Sequence, residues 1–345
     1  MSHPLDKKNR YFLDHFSKKY KKNYPVFSKK NYGFNSYQKN SSFLESIYEL
    51  SPYTNGYEDL SIIGCHNLPE KVIGCLHRTR VKLVHSQSNE TIEVSALHNL
   101  MIDKNHYGCG YILLSDALSR DPIFFVPGVL GELDNFYKRV AHHKVDASWF
   151  RRVHFVNPFN FLKRLIRIPV SIKTINIYIK NHIDQNINIL LKSDRLFDDL
   201  IQKDFNRING FRVTEKFLKW RLLSNQKTKI TRVIIHDKKS FIALSFGIRK
   251  SLPICRIVYC SFHSQQSSDI LVDEACKFSK SMGFPVILHT SDCNFAKESF
   301  TKNNFSIIKH SPNIYFCSKS KHNVHTRHWS LLGDYGFDEF SYRQE

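Results

Sequence analysis

Several absences narrow what this chain can be. No apolar run approaches the roughly 18 residues that a membrane-spanning helix needs; stretches such as Pro122–Leu130 fall well short. The first residues are polar and basic, without the apolar centre of a secretory signal. A cytoplasmic protein is therefore expected, with a seat on the inner membrane face left open. The eight cysteines (65, 75, 109, 255, 260, 276, 293, 317) form no C-x-x-C pair and have no His pair at metal spacing beside them, so reduced, mostly buried thiols and no metal are expected. Neither G-x-G-x-x-G nor G-K-[ST] occurs, which removes the dinucleotide fingerprint and the Walker loop. Acidic residues are scarce, 31 against 51 Lys and Arg, for a formal net charge of +20.

What remains is an ordinary globular composition, 41% hydrophobic and 24% charged over 345 residues, enough for two cores of about 150 residues each. The positive excess would attract phosphates, anionic headgroups or nucleic acid. It is dense at the start, where residues 1–40 hold nine Lys and Arg10 against Asp6 and Asp14. Tyr11, Phe12, Phe16, Tyr20, Tyr24, Phe27, Tyr32, Phe34 and Tyr37 are interleaved there. Such a segment can stack on bases or lie on an anionic membrane, and the plainer expectation is a solvated, partly ordered arm.

Downstream, strand and helix patterns alternate. Segments 71–85 and 91–103 are rich in Val, Leu and Ile and are joined by the polar break 86–89, so they read as an antiparallel pair. Helix 111–119, strand 123–126, helix 132–140 and strand 149–156 come next, the last closing a first unit. A connecting stretch carries a strand pattern at 173–179 and a helix pattern at 195–208. The second unit opens with a helix at 214–223, capped by Thr214, and continues through strands 230–236, 241–248 and 255–262. Helix 268–282, strand 285–289, helix 294–302 and strands 305–309 and 314–317 complete it. Ile123–Val126 and Phe150–Phe155 recur as Val286–His289 and Phe305–Lys309, an offset of about 160 residues. An α+β fold built from two copies of one module is expected.

The stretch from Asp103 through Asn105, Tyr107, Gly108, Cys109 and Gly110 to Tyr111 joins a strand end to a helix start. Glycine permits positive φ and a close ligand, while the first helical N–H groups lie unpaired at the positive end of the dipole. Consecutive amides from Tyr107 to Tyr111 can thus hold a pyrophosphate. By itself a G-x-G is weak, since most such pairs are turns.

A meander running into a glycine loop and helix resembles the GNAT acyltransferases, whose loop reads Q/R-x-x-G-x-G/A. Here Asn105-x-x-Gly108-x-Gly110 matches, with Asn in place of Gln or Arg. The resemblance implies two GNAT-like modules, each a mixed, mostly antiparallel central sheet flanked by helices. It implies acetyl-CoA or another acyl-CoA as co-substrate. Strand 97–102 should then splay open so that Leu100, Met101 and Ile102 pair with the pantetheine arm, while Asn105 and the Tyr107–Tyr111 loop hold the phosphates. A Tyr on the helix after the next strand protonates the departing thiolate in many such enzymes, and Tyr137 occupies that place; a core aromatic is the equal alternative. An amine acceptor needs a base near neutral pH, for which His98 suits by intrinsic pKa and Glu93 is the second choice. An ordinary core or surface histidine is the plainer reading of His98. Segment 215–222, with Leu218, Trp220, Arg221 and Leu222, looks like the L-x-W-R-Y signature of two-module GNAT-like proteins found among bacterial surface-polysaccharide genes. Trp220 reads as core and Arg221 as a cap or ion-pair partner, with binding of an anionic acceptor as the sharper role.

The matching junction of the second unit, His263–Asp269, lacks glycine. One cofactor site is therefore expected, in the first unit, with the second shaping the acceptor pocket. The boundaries expected are a basic arm at 1–42, a first module at 43–156, a connector at 157–212, a second module at 213–320 and a tail at 321–345. The activity implied is transfer of an acyl group from acyl-CoA to the amino group of a small molecule or amino sugar, by direct attack in a ternary complex. Two rivals stand beside it. One is tRNA-dependent aminoacyl transfer of the peptidoglycan-bridge type; the other is a non-catalytic scaffold or nucleic-acid binder touching RNA through residues 1–40.

Overall fold

The computed structural model describes residues 10–32, 41–52, 54–84, 91–106, 108–121, 123–129, 132–140, 143–145, 149–166, 210–211, 220, 230–236, 240–249, 252–292, 296–308 and 313–318. They fall into two compact units, and neither is one continuous piece of sequence.

The first unit is built on one sheet with seven strands side by side. Strands β1 (Tyr11–His15), β2 (Leu60–Cys65), β3 (Gly74–Val84), β4 (Thr91–Ile102) and β5 (Ile123–Val129) lie side by side in chain order. Beyond β5 the order continues with β14 (Asn313–Ser318) and then β6 (His143–Val145); β8 (Gly210–Phe211) is a two-residue strand of the second unit. Strand β1 is antiparallel to β2, and β2 to β3. All six residues of β2 are buried, the pattern of a strand covered on both faces. Helices α1 (Asn23–Tyr32), α2 (Ser41–Tyr48), α3 (Gly110–Arg120) and α4 (Glu132–Val140) belong to this unit. Helix α3 turns Leu113, Leu114 and Ala117 into a core that includes Ile63, Leu97, Val126, Tyr137 and Tyr315.

The second unit is a six-stranded sheet in the order β13 (Ser306–Ile308), β7 (Trp149–His154), β12 (Val286–Asp292), β11 (Leu252–Ser261), β10 (Ser240–Arg249), β9 (Ile230–His236). Only β11 and β12 run parallel among its recorded pairs. Helix α6 (Gln265–Ser281) packs Leu271, Val272, Ala275 and Cys276 against Ile242, Leu244, Ile257 and Ile287 on one face. Phe300, from the short helix α7 (Lys297–Lys302), joins them. On the other face Val153, Ile254, Val286 and Leu288 receive Phe161 of helix α5 (Pro158–Leu165).

Two expectations change. Residues 11–32 are no free arm: β1 is a strand of the first sheet, and Phe16, Tyr20, Tyr24 and Phe27 are buried. Gly64 leaves room for the Phe12 ring of this strand, which a Cβ there would strike. Rings committed to the core have no face left for bases. The second change concerns the segment expected to close the first unit. Trp149–His154 lies in the second sheet, opposite β12 and β13, while Asn313–Ser318 fills the matching place in the first. The patterns at 173–179 and 195–208, and the helix expected at 214–223 apart from Trp220, lie outside the described residues.

Cys65, Cys75, Cys109, Cys255, Cys260 and Cys276 are buried. Among the described residues no helix is long and apolar enough to cross a membrane, and no group of three His, Cys, Asp or Glu could hold a metal ion.

Candidate functional site

The site grows from the end of β4. This strand is parallel to β5, and their register covers only Ser95 with Phe124 and Ala96 with Phe125. From Leu97 onward β4 has no partner in β5 among the described residues. Asn99 stands just beyond, with φ at +52°, a left-handed residue inside a strand. Asparagine tolerates that region better than most side chains, and a single such residue bends the strand and re-aims the residues after it. Leu100, Met101 and Ile102 therefore line a strand end whose β5 side is open.

The chain then turns into α3. Asp103 N–H donates to Ile73 O at 2.8 Å, fixing the loop base to the strand beside it. The Asp103 carboxylate accepts from Asn105 N–H at 3.2 Å and from Lys30 Nζ at 2.6 Å. Burial would raise the Asp103 pKa, but these hydrogen bonds and the Lys30 charge outweigh it and hold the carboxyl below its usual value. Gly108 has φ at +93°, where only glycine is at ease, and nothing lies within 4 Å of a Cβ built on it. Gly110 opens α3.

The amides expected to act together do not all point outward. Cys109, Tyr111 and Ile112 N–H turn back to the carbonyls of His106, Gly108 and Cys109 at 3.4, 3.2 and 3.0 Å. Among the described residues the N–H groups of Gly108 and Gly110 have no such backbone partner. Cys109 is buried, Asn105 is exposed, and Tyr107 lies outside the described residues. Open space over Gly108, at the start of a helix, fits a pyrophosphate.

Cations absent from the loop's own sequence gather around it. His106 Nδ1 is 3.0 Å from Tyr11 OH. Burial chiefly lowers the His106 pKa; Asp103 opposes this, while Lys71, Arg10 and Lys30 push it further down. Three basic groups from distant parts of the chain thus share the loop's field. The basic density of residues 1–40 was the only hint in the sequence, and it gave no address.

Tyr137 lies on α4, 2% exposed, in the same core cluster as Leu97 and Cys109. Its ring stacks on Tyr315 with centroids 5.9 Å apart, and its neighbour Phe136 meets Tyr111 edge-on at 5.3 Å. The structure therefore brings Tyr137 into the core beside the open strand and the loop.

His98 is buried, the plainer of its two expected settings rather than that of a base. Successive strand residues face opposite sides. Leu97 joins the α3 core, and His98 turns to His77, with ring centroids 5.5 Å apart. His77 itself lies between Tyr24 OH, 2.7 Å from Nε2, and Tyr48 OH, 2.6 Å from Nδ1. Burial drives the His98 pKa well below 6.5, assisted by His77, so the near-neutral value that recommended it as a base is not the one it has here. Glu93 is exposed on the same strand, 3.9 Å from Arg80. Trp220 is buried, in keeping with a core role, and Arg221 lies outside the described residues.

The second unit offers no equivalent cradle among the described residues. Ser264 caps α6, its Oγ accepting from Ser267 N–H at 3.1 Å, and Gln265 reaches Asp269 and Ser299. These side chains occupy the helix start that glycines leave open in the first unit.

No family model and no curated protein sequence matches the chain. Solved structures do. N-myristoyltransferase of Saccharomyces cerevisiae with bound myristoyl-CoA is 12% identical, covers 90% of this chain and 79% of its own, and gives a TM-score of 0.59. A GCN5-related N-acetyltransferase from Anabaena variabilis is 13% identical over 89% of this chain and 72% of its own, with a TM-score of 0.55. Another from Kribbella flavida is 9% identical over 91% and 72%, with a TM-score of 0.59. At such identities the likeness speaks for the fold: the chain has the α+β GNAT fold, with two sheets.

Proposed function

We propose that this protein is an acyl-CoA-dependent N-acyltransferase with a single active centre in its first unit. The observation that carries the reading is the parting of β4 from β5 after Ala96, directly ahead of the Gly108/Gly110 turn into α3. A strand with one open edge can pair with the amides of a pantetheine arm, and the glycine N–H groups stand where its pyrophosphate would lie. Arg10, Lys30 and Lys71 add the positive field that phosphates need. The solved neighbours include a protein with bound myristoyl-CoA, in keeping with an acyl-CoA.

In this reading the acceptor amine attacks the thioester carbonyl directly. A C–N bond forms, the C–S bond breaks, the amine gives up a proton and the departing thiolate gains one. Holding both reactants in place supplies much of the rate. Tyr137 is proposed to return the proton to sulfur. For the amine proton, His98 remains unprotonated at neutral pH but is weakly basic, and Glu93 is the exposed carboxylate of the same strand. The acceptor proposed is an amino group on a small molecule, an amino sugar in particular. Arg221 is its proposed anionic contact, on the strength of the 215–222 resemblance.

Aminoacyl transfer from tRNA keeps the support of the +20 charge but loses the aromatic arm, whose Phe16, Tyr20, Tyr24 and Phe27 are core residues. Calorimetric titration with coenzyme A and acetyl-CoA, beside ATP and NAD as controls for plain phosphate attraction, tests the proposal. One-to-one binding of coenzyme A in preference to the controls is expected. Equal binding of all four would defeat it and turn attention to RNA.

A further inference from the structure

Among the described residues, helix α5 of the second unit is held from one side. Asn160 Nδ2 donates to Gly283 O at 3.0 Å, Phe161 packs on the Val153, Ile254, Val286 and Leu288 cluster, and Asn157 N–H reaches Pro285 O at 3.2 Å. At the helical rotation per residue, the opposite side carries Phe159, Leu162 and Ile166, with Leu165 at its edge and Phe155 just ahead. These five are 65, 58, 70, 64 and 46% exposed. Surface helices turn their apolar stripe inward. This one anchors through an amide and a single ring, and shows solvent its large hydrophobic side chains. Scattered exposed hydrophobics need no explanation, whereas a contiguous patch marks an interaction surface.

The charged residues of α5 itself, Lys163 and Arg164, are both basic. Between Asp146 and Asp184 the sequence holds seven Lys and Arg and no Asp or Glu. Lys163 Nζ lies 4.5 Å from the centre of the Phe159 ring, which places a cation at the border of the apolar stripe. An apolar stripe flanked by cations complements an anionic bilayer, where hydrophobic side chains enter the headgroup boundary and ammonium groups meet lipid phosphates.

We propose that the outer face of α5 docks this protein on an anionic lipid surface, with Phe159, Leu162, Leu165 and Ile166 inserted and Lys163 at the phosphate level. RNA would ask for stacking rings rather than Leu and Ile. Two copies meeting through this face would set like charges against each other. The proposal stands apart from acyl transfer and survives its failure.

The test sediments the full-length protein with vesicles of phosphatidylcholine alone and of equimolar phosphatidylcholine and phosphatidylglycerol. Salt-sensitive binding to the anionic vesicles is expected, weakened about tenfold or more by Leu162→Ser with Ile166→Ser. The double variant should melt with the wild type, because both side chains are already exposed. Phe159→Trp gives a second readout, a blue shift of its emission on anionic vesicles. Absence of vesicle binding, equal binding to neutral vesicles, or unchanged binding by the double variant overturns the proposal. So does a fall in melting temperature, which would mean that the protein's own chain covers the face. Loss of a dimer, or of RNA binding, through the same two substitutions would assign the face to those partners instead.

Discussion

Replacing Gly110 by Val separates the cradle from the fold. Gly110 has no positive φ, and the first atom of a new side chain would lie 3.7 Å from Ile102 Cγ1, an ordinary contact. At the first helical position Val has slightly better helix propensity than Gly, by a few tenths of a kcal/mol. Stability should therefore hold. Affinity should not, because bulk at the loop keeps a phosphate from the Gly108 and Gly110 N–H groups. Hydrogen bonds to a charged group contribute about 1.5–3 kcal/mol each, so losing one weakens coenzyme A roughly 10- to 150-fold. Gly108→Ala is the instructive contrast. It meets no atom within 4 Å, but its φ of +93° imposes backbone strain of about 1–3 kcal/mol, and its melting temperature should drop by several degrees, at roughly 2–4 °C per kcal/mol for a unit of this size. Calorimetry and thermal melts on both variants check the pair. Gly110→Val with an intact fold and unchanged affinity for coenzyme A would refute the cradle.

Three further outcomes are expected. Tyr137→Phe keeps the stack on Tyr315 and removes only the hydroxyl; coenzyme A binding should be unchanged while kcat falls about 100-fold or more, and an unaltered kcat would leave Tyr137 as core. Tyr24→Ala, at a fully buried position whose hydroxyl meets His77, should destabilise by about 3–5 kcal/mol, whereas a residue on a solvated arm would change stability by less than about 0.5 kcal/mol; denaturant titration distinguishes them. Stability should also fall on acidification. Burial holds His77 and His289 down to about 3 and His98 well below its ordinary value. As pH drops below about 6.5 the unfolded imidazoles take up protons that the folded ones refuse, so each removes up to about 1.4 kcal/mol per pH unit down to its folded pKa. Denaturant midpoints near pH 7 and near pH 5 measure this, and a flat profile would mean these histidines are not buried neutral.

Local elements were legible because their signals are local. Helix 132–140 and strand 230–236 have the bounds that their apolar spacing implies, and the glycine loop sits at a strand-to-helix junction as read. Asn99 left no such trace, since a left-handed residue inside a strand looks like any polar interruption. The setting of His98 was equally hidden. Its pKa depends on burial beside His77, which is held by tyrosines from α1 and α2, far away in sequence.

Residues 1–40 show how composition misleads. Lysines set among aromatics suit both a solvated arm and an amphipathic edge, and only pairing of Tyr11–His15 with Leu60–Cys65 tells which rings are buried. The same limit governs Trp149–His154 and Asn313–Ser318. Alternation of side chains identifies each as a strand, while its hydrogen-bond partners come from distant segments and leave no mark on the strand's own sequence. The sequence alone thus determined the α+β class, many of the element types and the position of the glycine loop, all of which rest on spacing and backbone freedom over a few residues. Tertiary structure decided which sheet each strand joins, how far β4 parts from β5, and which distant cations gather at the loop, because those depend on contacts between residues far apart along the chain.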